Sequence, residues 1–426
     1  MGSIAAIQAI GWLLGSLLMA SPTPAYMPLV DRPQVEAAGL TIYWQRGLSL
    51  ARHERIQRIE RVEENLYVIT DQGQVIAIDA ATGVHRWSTR LASPGIRIKG
   101  PTHGGDTAWF TTLLGIHGLS RATGESRLQW KGDFAPTGPA STDGQVLYVG
   151  TSTGRVAAIR LRDTQILWQV MTDGLVDHPP ILLGTNVYFV SEGGKIYGAA
   201  KSDKTRLWPI KEVGTVRAWP AAFGGRLFVA SQDQSLYSFD MVTGQLAWQT
   251  RTPAPLLINP KVTSFAVYQP IQHHGLFVVD PAAGQIRWTL PEGVDLLAEH
   301  ENLVWLMTTR CSLAGCDKAD GQVRQEIPCR ADIWVPNDVD DAIFLASSYG
   351  QLACVRPAGA GFLRYRTVLE TAARAGSTQP AAPGAAAQDV LREPPPAPPV
   401  DYLRSPGTLP PVSGSSPGAP APQPEQ

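Results

Sequence analysis

The chain has 426 residues, of which 44% are hydrophobic and 17% charged, with a formal net charge of −1. That length suits two or three ordinary domains or one large all-β ring, and the near-neutral balance offers no basic field for nucleic acid. With 41 Gly and 35 Pro and few long amphipathic periods, the chain reads as all-β.

Residues 4–20 are apolar apart from Gln8, Gly and Ser16, and Ser21-Pro22-Thr23-Pro24-Ala25 follows. Residues 1–25 therefore read as a secretory signal peptide or, if uncleaved, an N-terminal membrane anchor. Either one implies a periplasmic or otherwise exported protein that touches the membrane only through that segment. No Cys ends the apolar run to carry a lipid.

The next informative stretch is Asn65–Trp87, NLYVITDQGQVIAIDAATGVHRW. It reads as two short strands and the start of a third. Asp79 caps the second turn and Gly83 supplies its left-handed residue. The closing Trp recurs as Trp44, Trp87, Trp130, Trp168, Trp208, Trp248 and Trp288, at intervals near 40. Asp240…Gly244…Trp248 and Asp280…Gly284…Trp288 repeat the turn, and Asp317…Gly321 leads instead to Gln325. A small residue recurs ten positions before most of these, from Ala77 through Gly118, Ala158, Gly198, Ser238 and Gly315 to Cys354. Pro101, Pro139, Pro179, Pro220, Pro260 and Pro336 precede the aromatic strands, where a missing N–H costs no ladder bond.

One four-stranded sheet per repeat of about 40 residues predicts an eight-bladed β-propeller over residues 40–356. Leu40–Trp44 is expected to complete the last blade, whose strands near Ile343–Ala346 and Gln351–Val355 lack a fourth. Seven blades plus a stray hairpin is the competing tally.

The units GQVIAIDAATGVHRW, QSLYSFDMVTGQLAW and GLFVVDPAAGQIRW resemble the repeat of pyrroloquinoline-quinone-type propellers. That group includes quinoprotein dehydrogenases and the propeller subunit of the bacterial outer-membrane β-barrel assembly machinery. The resemblance implies that the seven Trp residues dock blade against blade. For a dehydrogenase it would imply adjacent cysteines, a Ca²⁺ site and an Asp base. The chain has no Cys-Cys pair, no C-x-x-C-H haem motif and no evident carboxylate cluster, so an enzyme is not expected, nor any cofactor or metal.

Four cysteines lie late in the chain, without zinc-type spacing. Cys316 and Cys354 fall on buried columns. Cys311 and Cys329 fall in loop types that share a propeller face, so a Cys311–Cys329 disulfide is expected in an oxidising compartment. His273-His274 reads as a solvated hairpin tip, and Arg52–Glu64 as the lead into the first blade. Residues preceding the recurrent Pro are expected to ring the central channel: Lys99, Thr137, Asp177, His178, Arg217, Trp219, Asn259 and Trp334. Mixed aromatic and charged groups there suit a protein or glycan partner. Residues 357–376 read as a short helical extension and 377–426, rich in Pro, Ala, Ser and Gly, as a disordered tail. The resulting expectation is a monomeric, non-catalytic binding scaffold of the bacterial envelope, with assembly-factor work as one alternative and a quinone-dependent oxidoreductase as the other.

Overall fold

The computed structural model describes residues 27–361 and residue 363. Alternating β-branched and aromatic residues between Gly- and Asp-containing turns form antiparallel meanders. Eight four-stranded sheets result. Blades 1 to 7 span Ile56–Arg90, Lys99–Trp130, Ser141–Met171, Ile181–Glu212, Ala221–Arg251, Lys261–Leu290 and Gly293–Pro328. Blade 8 combines Ile333–Pro357 with the strand Leu40–Gly47 from the other end of the chain. That strand pairs antiparallel with Gln351–Pro357 and sets Trp44 opposite Cys354. Closure by the N-terminal strand and the tally of eight both stand as read from the sequence, and the seven-bladed alternative is excluded. First strands of neighbouring blades touch one another and so encircle the axis.

Inside a blade the packing unit is ring, small residue, ring. Tyr67 on the second strand lies opposite Ala77 on the third, and Ala77 lies opposite Trp87 on the fourth. Side chains of directly paired residues share one sheet face. A methyl in the middle row therefore lets Tyr67 and Trp87 lean together, with centroids 5.9 Å apart. The same pairing recurs at 5.8 Å for Tyr148–Trp168 and Phe228–Trp248, and at 6.2 Å for Trp44–Phe344. The second-strand aromatic row is a feature the sequence reading did not single out.

Each joint between blades then holds its own apolar cluster, eight in all. The fourth-strand Trp seals most joints. Its indole N–H donates to a backbone carbonyl of the next blade: Trp44 to Ala80, Trp87 to Arg121 and Trp168 to Lys201 at 2.9 Å, Trp208 to Met241 and Trp248 to Pro281 at 3.1 Å, Trp288 to Lys318 at 3.0 Å. The Asp-capped turn of the next blade covers the ring. Gly83, at φ +70°, lies so close that a Cβ would come within 2.7 Å of the Trp44 indole. Glycine is needed there twice, for left-handed backbone and for the ring's space.

Trp130 requires a correction. Gly118 pairs with Leu128, and Trp130 pairs with Ile116, two positions further along. Trp130 still enters the joint between blades 2 and 3, packing on Phe134 with centroids 4.8 Å apart. Its indole makes no bond of the kind that the other six form.

The joint between blades 7 and 8, where Gln325 replaces Trp, is filled from outside the ring. Leu29, Val30 and Val35, on an N-terminal arm that includes the helix Arg32–Ala37, pack among Trp305, Ile327 and Ile343. Residues 1–25 and 377–426 lie outside the described residues. Of the helical extension expected over 357–376, Pro357 ends the last strand and 358–361 make a turn. The remainder, apart from Leu363, lies outside the described residues. Among the described residues no helix is long and apolar enough to cross a membrane.

Candidate functional site at the channel mouth

Of the residues expected to ring the channel, Lys99 and Trp334 lie on first strands and the others just ahead of them, and several meet across blades. The Lys99 ammonium donates to the Thr137 carbonyl, and Thr137 Oγ1 donates to the Val176 carbonyl at 2.6 Å. The Trp219 N–H donates to Asn259 Oδ1 at 2.7 Å. Trp334 Nε1 donates to Asp295 Oδ2 at 3.3 Å. Arg217 is exposed. His178 departs from the expectation. It is 3% exposed, with Nδ1 2.9 Å from the Pro179 carbonyl and Nε2 accepting the Val190 N–H at 3.0 Å. Asp177 lines the channel mouth, whereas His178 is turned into its own blade.

A cavity of about 520 Å³ opens at this mouth, lined among others by Arg58, Arg97, Lys99, Asp177 and Trp219. Arg58 and Arg97 were not anticipated. Arg58 is held rigidly: its guanidinium donates to the carbonyls of Ile98 at 2.9 Å and Gly100 at 2.6 Å, and its Nε lies 3.2 Å from Glu60. Burial lowers the Lys99 pKa; Asp177 opposes that shift, while Arg97 and Arg58 add to it. With Glu60 paired to Arg58 and Asp177 beside Lys99, the three cations leave the mouth a net positive charge, suited to a negative partner.

Around Lys261 the surroundings are acidic. Burial raises the carboxyl pKa values of Glu60, Asp295 and Asp338, with Lys261 drawing each back down. Those carboxyls share a lysine and are not gathered at ligand distance, so they do not suit the Ca²⁺ of a quinone site. Among the described residues, the His/Cys/Asp/Glu group within ligand reach is Glu63, Glu64 and His103. It sits at the joint of blades 1 and 2, where the Arg121 guanidinium donates to both carboxylates. His103 and then Arg121 hold the Glu63 carboxyl down to about 2 against the cost of its burial. The cation of this cluster is built in.

His273 and His274 are exposed at a hairpin tip. Cys316 and Cys354 are buried in joint clusters, and burial pushes both thiols up, Cys316 to about 11. Cys311 and Cys329 carry free thiols in the structure and lie directly opposite each other beyond the last pair of blade 7's outer hairpin.

The fold is shared with solved propellers of low identity. BamB from Moraxella catarrhalis is 16% identical with a TM-score of 0.60, over 76% of this chain and 99% of that one. The computationally designed Ika8 protein is 13% identical with a TM-score of 0.59, over 73% and 98%. A quinohemoprotein alcohol dehydrogenase from Pseudomonas putida HK5 is 12% identical with a TM-score of 0.56, over 77% and 78%. No curated protein matches the chain. The family model described as outer membrane protein assembly factor BamB matches residues 41–116, 114–217 and 211–385, which span the whole ring. The chain belongs to the outer membrane protein assembly factor BamB family.

Proposed function

We propose that the protein is a non-catalytic scaffold that assists outer-membrane protein assembly from the periplasmic side, binding a protein partner at the channel mouth. The family match supports the assembly role. The observation that points to the mouth is its charge: Arg58, Arg97 and Lys99 flank a cavity that also presents the flat ring of Trp219. Such a site takes an acidic or carboxylate-bearing segment, with the indole as its apolar anchor. The ring has its terminal strands paired with each other, which supports a monomer that meets its partner by a face rather than by an open closure edge.

A photo-crosslinking residue placed at Ile96, beside Arg97, tests this in intact cells. A discrete envelope protein should be captured, and Arg97→Glu with Arg217→Glu should abolish the adduct without changing the unfolding midpoint. Unchanged capture by the charge-reversed protein would move the contact away from the mouth. Normal levels of outer-membrane β-barrel proteins in cells lacking the chain would count against the assembly role.

A further inference from the structure

We propose that Cys311 and Cys329 form an intramolecular disulfide that closes the end of blade 7's outer hairpin. Ser312 pairs with Pro328 as the last rung of that hairpin. One step further the Cys329 N–H donates to the Cys311 carbonyl at 2.8 Å. A hydrogen-bonded antiparallel pair sets its Cα atoms about 5.5 Å apart. A disulfide spans roughly 4.4–6.8 Å. Cys311 leaves the ladder at φ +56°, as the last residue of the turn that starts at Thr308. The other two cysteines are no competitors: Cys316 is buried in the joint of blades 6 and 7, and Cys354 in the joint of blades 8 and 1.

The two thiols differ in a way that orders the reaction. Cys311 is exposed and Cys329 is 8% exposed. Burial pushes the Cys329 thiol up to about 11, and its Sγ accepts the Ala331 N–H at 3.2 Å. The Cys311 thiolate therefore attacks a small disulfide oxidant first, forming a mixed disulfide and releasing one oxidant thiolate. Cys329 then gives up its proton and attacks the Cys311 sulfur, which expels the second oxidant thiol. Two protein thiols are oxidised and one oxidant disulfide is reduced to two thiols.

The bond would lie beside the joint of blades 7 and 8. Cys329 bridges to Val30, and the Arg330 N–H donates to the Leu29 carbonyl at 2.8 Å. The N-terminal arm that substitutes for a docking Trp thus lies on the strand that the disulfide would fasten. Supply of oxidant in the cell rests on the periplasmic location proposed above; the pairing itself does not.

The test uses the reduced full chain and oxidised glutathione, followed by alkylation, proteolysis and mass spectrometry. A linked 311–329 peptide pair should appear with the loss of two hydrogens, while Cys316 and Cys354 alkylate in full after denaturation. Cys329→Ser should stop at a glutathione adduct on Cys311, and Cys311→Ser should yield no linked product. Wild-type protein that stops at the Cys311 adduct, with Cys329 still alkylated, overturns the proposal. Alkylation trapping from intact cells separates the two readings: linkage in the tube with reduced thiols in cells would sink the periplasmic location and leave the pairing intact.

Discussion

Blades 2 and 7 differ from the other six by one exchange. In six blades the second strand carries Tyr or Phe and a Trp lies on the fourth strand, or just ahead of it for Trp208 in blade 4, as in Tyr67–Ala77–Trp87. In blades 2 and 7 the Trp is on the second strand. Trp109 lies opposite Gly118, which faces Leu128, and Trp305 lies opposite Gly315, which faces Gln325. The middle residue in both is glycine, and a Cβ there would fall 2.7 Å from Trp109 or 3.0 Å from Trp305. The bulky ring moves inward, glycine makes room for it, and a smaller side chain takes the outer place. What is not conserved is the joint. A second-strand Trp cannot reach the next blade's turn, so the indole-to-carbonyl seal is absent at joints 2–3 and 7–8. Trp130 with Phe134 fills the first of these, and the N-terminal arm fills the second. The turn residue facing joint 2–3 is Thr164 rather than glycine, at φ +56°. Lys204 holds the matching place at joint 3–4, at φ +60°, although Trp168 docks there, so left-handed backbone is common to these turns and glycine is not.

The comparison makes joint 7–8 depend on chain outside the repeats, and the largest expected effect follows from that. Removing residues 27–47 takes away both the arm and the closing strand. A protein starting at residue 48 should lose its cooperative urea transition, or assemble through the exposed Gln351–Pro357 edge, whereas a start at residue 27 should leave the transition intact. A monomeric, cooperatively unfolding 48–426 chain would show that the arm and the closure contribute little.

Next in size is the contrast between an ordinary joint and an exchanged one. Trp248→Ala removes a ring that is 9% exposed together with its seal, and should cost about 3–5 kcal/mol in denaturant unfolding. Gln325→Ala, at the matching position of blade 7, should change stability by no more than about 0.5 kcal/mol. Similar losses at both sites would mean that Gln325 bears on its joint as Trp does. The exchange itself is testable in blade 2. Trp109→Tyr leaves a cavity and Leu128→Trp overpacks, each costing about 1–3 kcal/mol. Combined, they rebuild the ordinary arrangement, and the double variant should recover a coupling energy of about 1–3 kcal/mol. Simple additivity would refute complementary packing of the two rows as the reason for the exchange.

The exchange also shows which parts of the molecule were legible beforehand. The Asp-to-Gly-to-Trp turn located three of the seven Trp residues and the interval near 40 placed three more, because turn, ring and carbonyl acceptor are set by local chain geometry that recurs with the repeat. Trp130 was misplaced because its intervals to Trp87 and Trp168 straddle the repeat length, one long and one short. Counting four residues on from Gly124, as from Gly83 to Trp87, reaches Leu128 instead. The channel mouth was less legible. First strands here are as short as Ser141–Thr142 and Lys261–Val262, so which residue faces the axis depends on pairing across the sheet. Arg58 became visible only once a register shift between Ile56 and Arg58 was known. The inward turn of His178 was not legible either, since Asp177 and His178 lie ahead of the strand Ile181–Leu183, where strand alternation sets no direction.

The smallest effect separates the two exchanged blades from each other. Trp109 Nε1 is buried without a hydrogen-bond partner, whereas Trp305 Nε1 donates to His300 Nδ1 at 3.0 Å. His300 Nε2 in turn donates to the Asp341 carbonyl at 3.0 Å. Burial lowers the His300 pKa. The Asp341 carbonyl bond and carboxylate oppose that shift, and Lys318 and Arg356 add to it. A histidine with a lowered folded-state pKa binds fewer protons folded than unfolded. Its contribution is therefore fully present above the ordinary value near 6.5 and is lost as pH falls below it. Protonation at Nδ1 also removes the acceptor for Trp305, a bond worth about 0.5–1.5 kcal/mol net. Stability should therefore decline on acidification below about pH 6.5, and His300→Gln should make that decline shallower, although His103, His117 and His178, whose pKa values burial also lowers, retain part of it. Hydrogen exchange read blade by blade localises the effect: protection at Leu303–Thr308 should weaken with acid before protection at the matching strand of blade 5, Arg226–Ser231, whose blade holds no histidine.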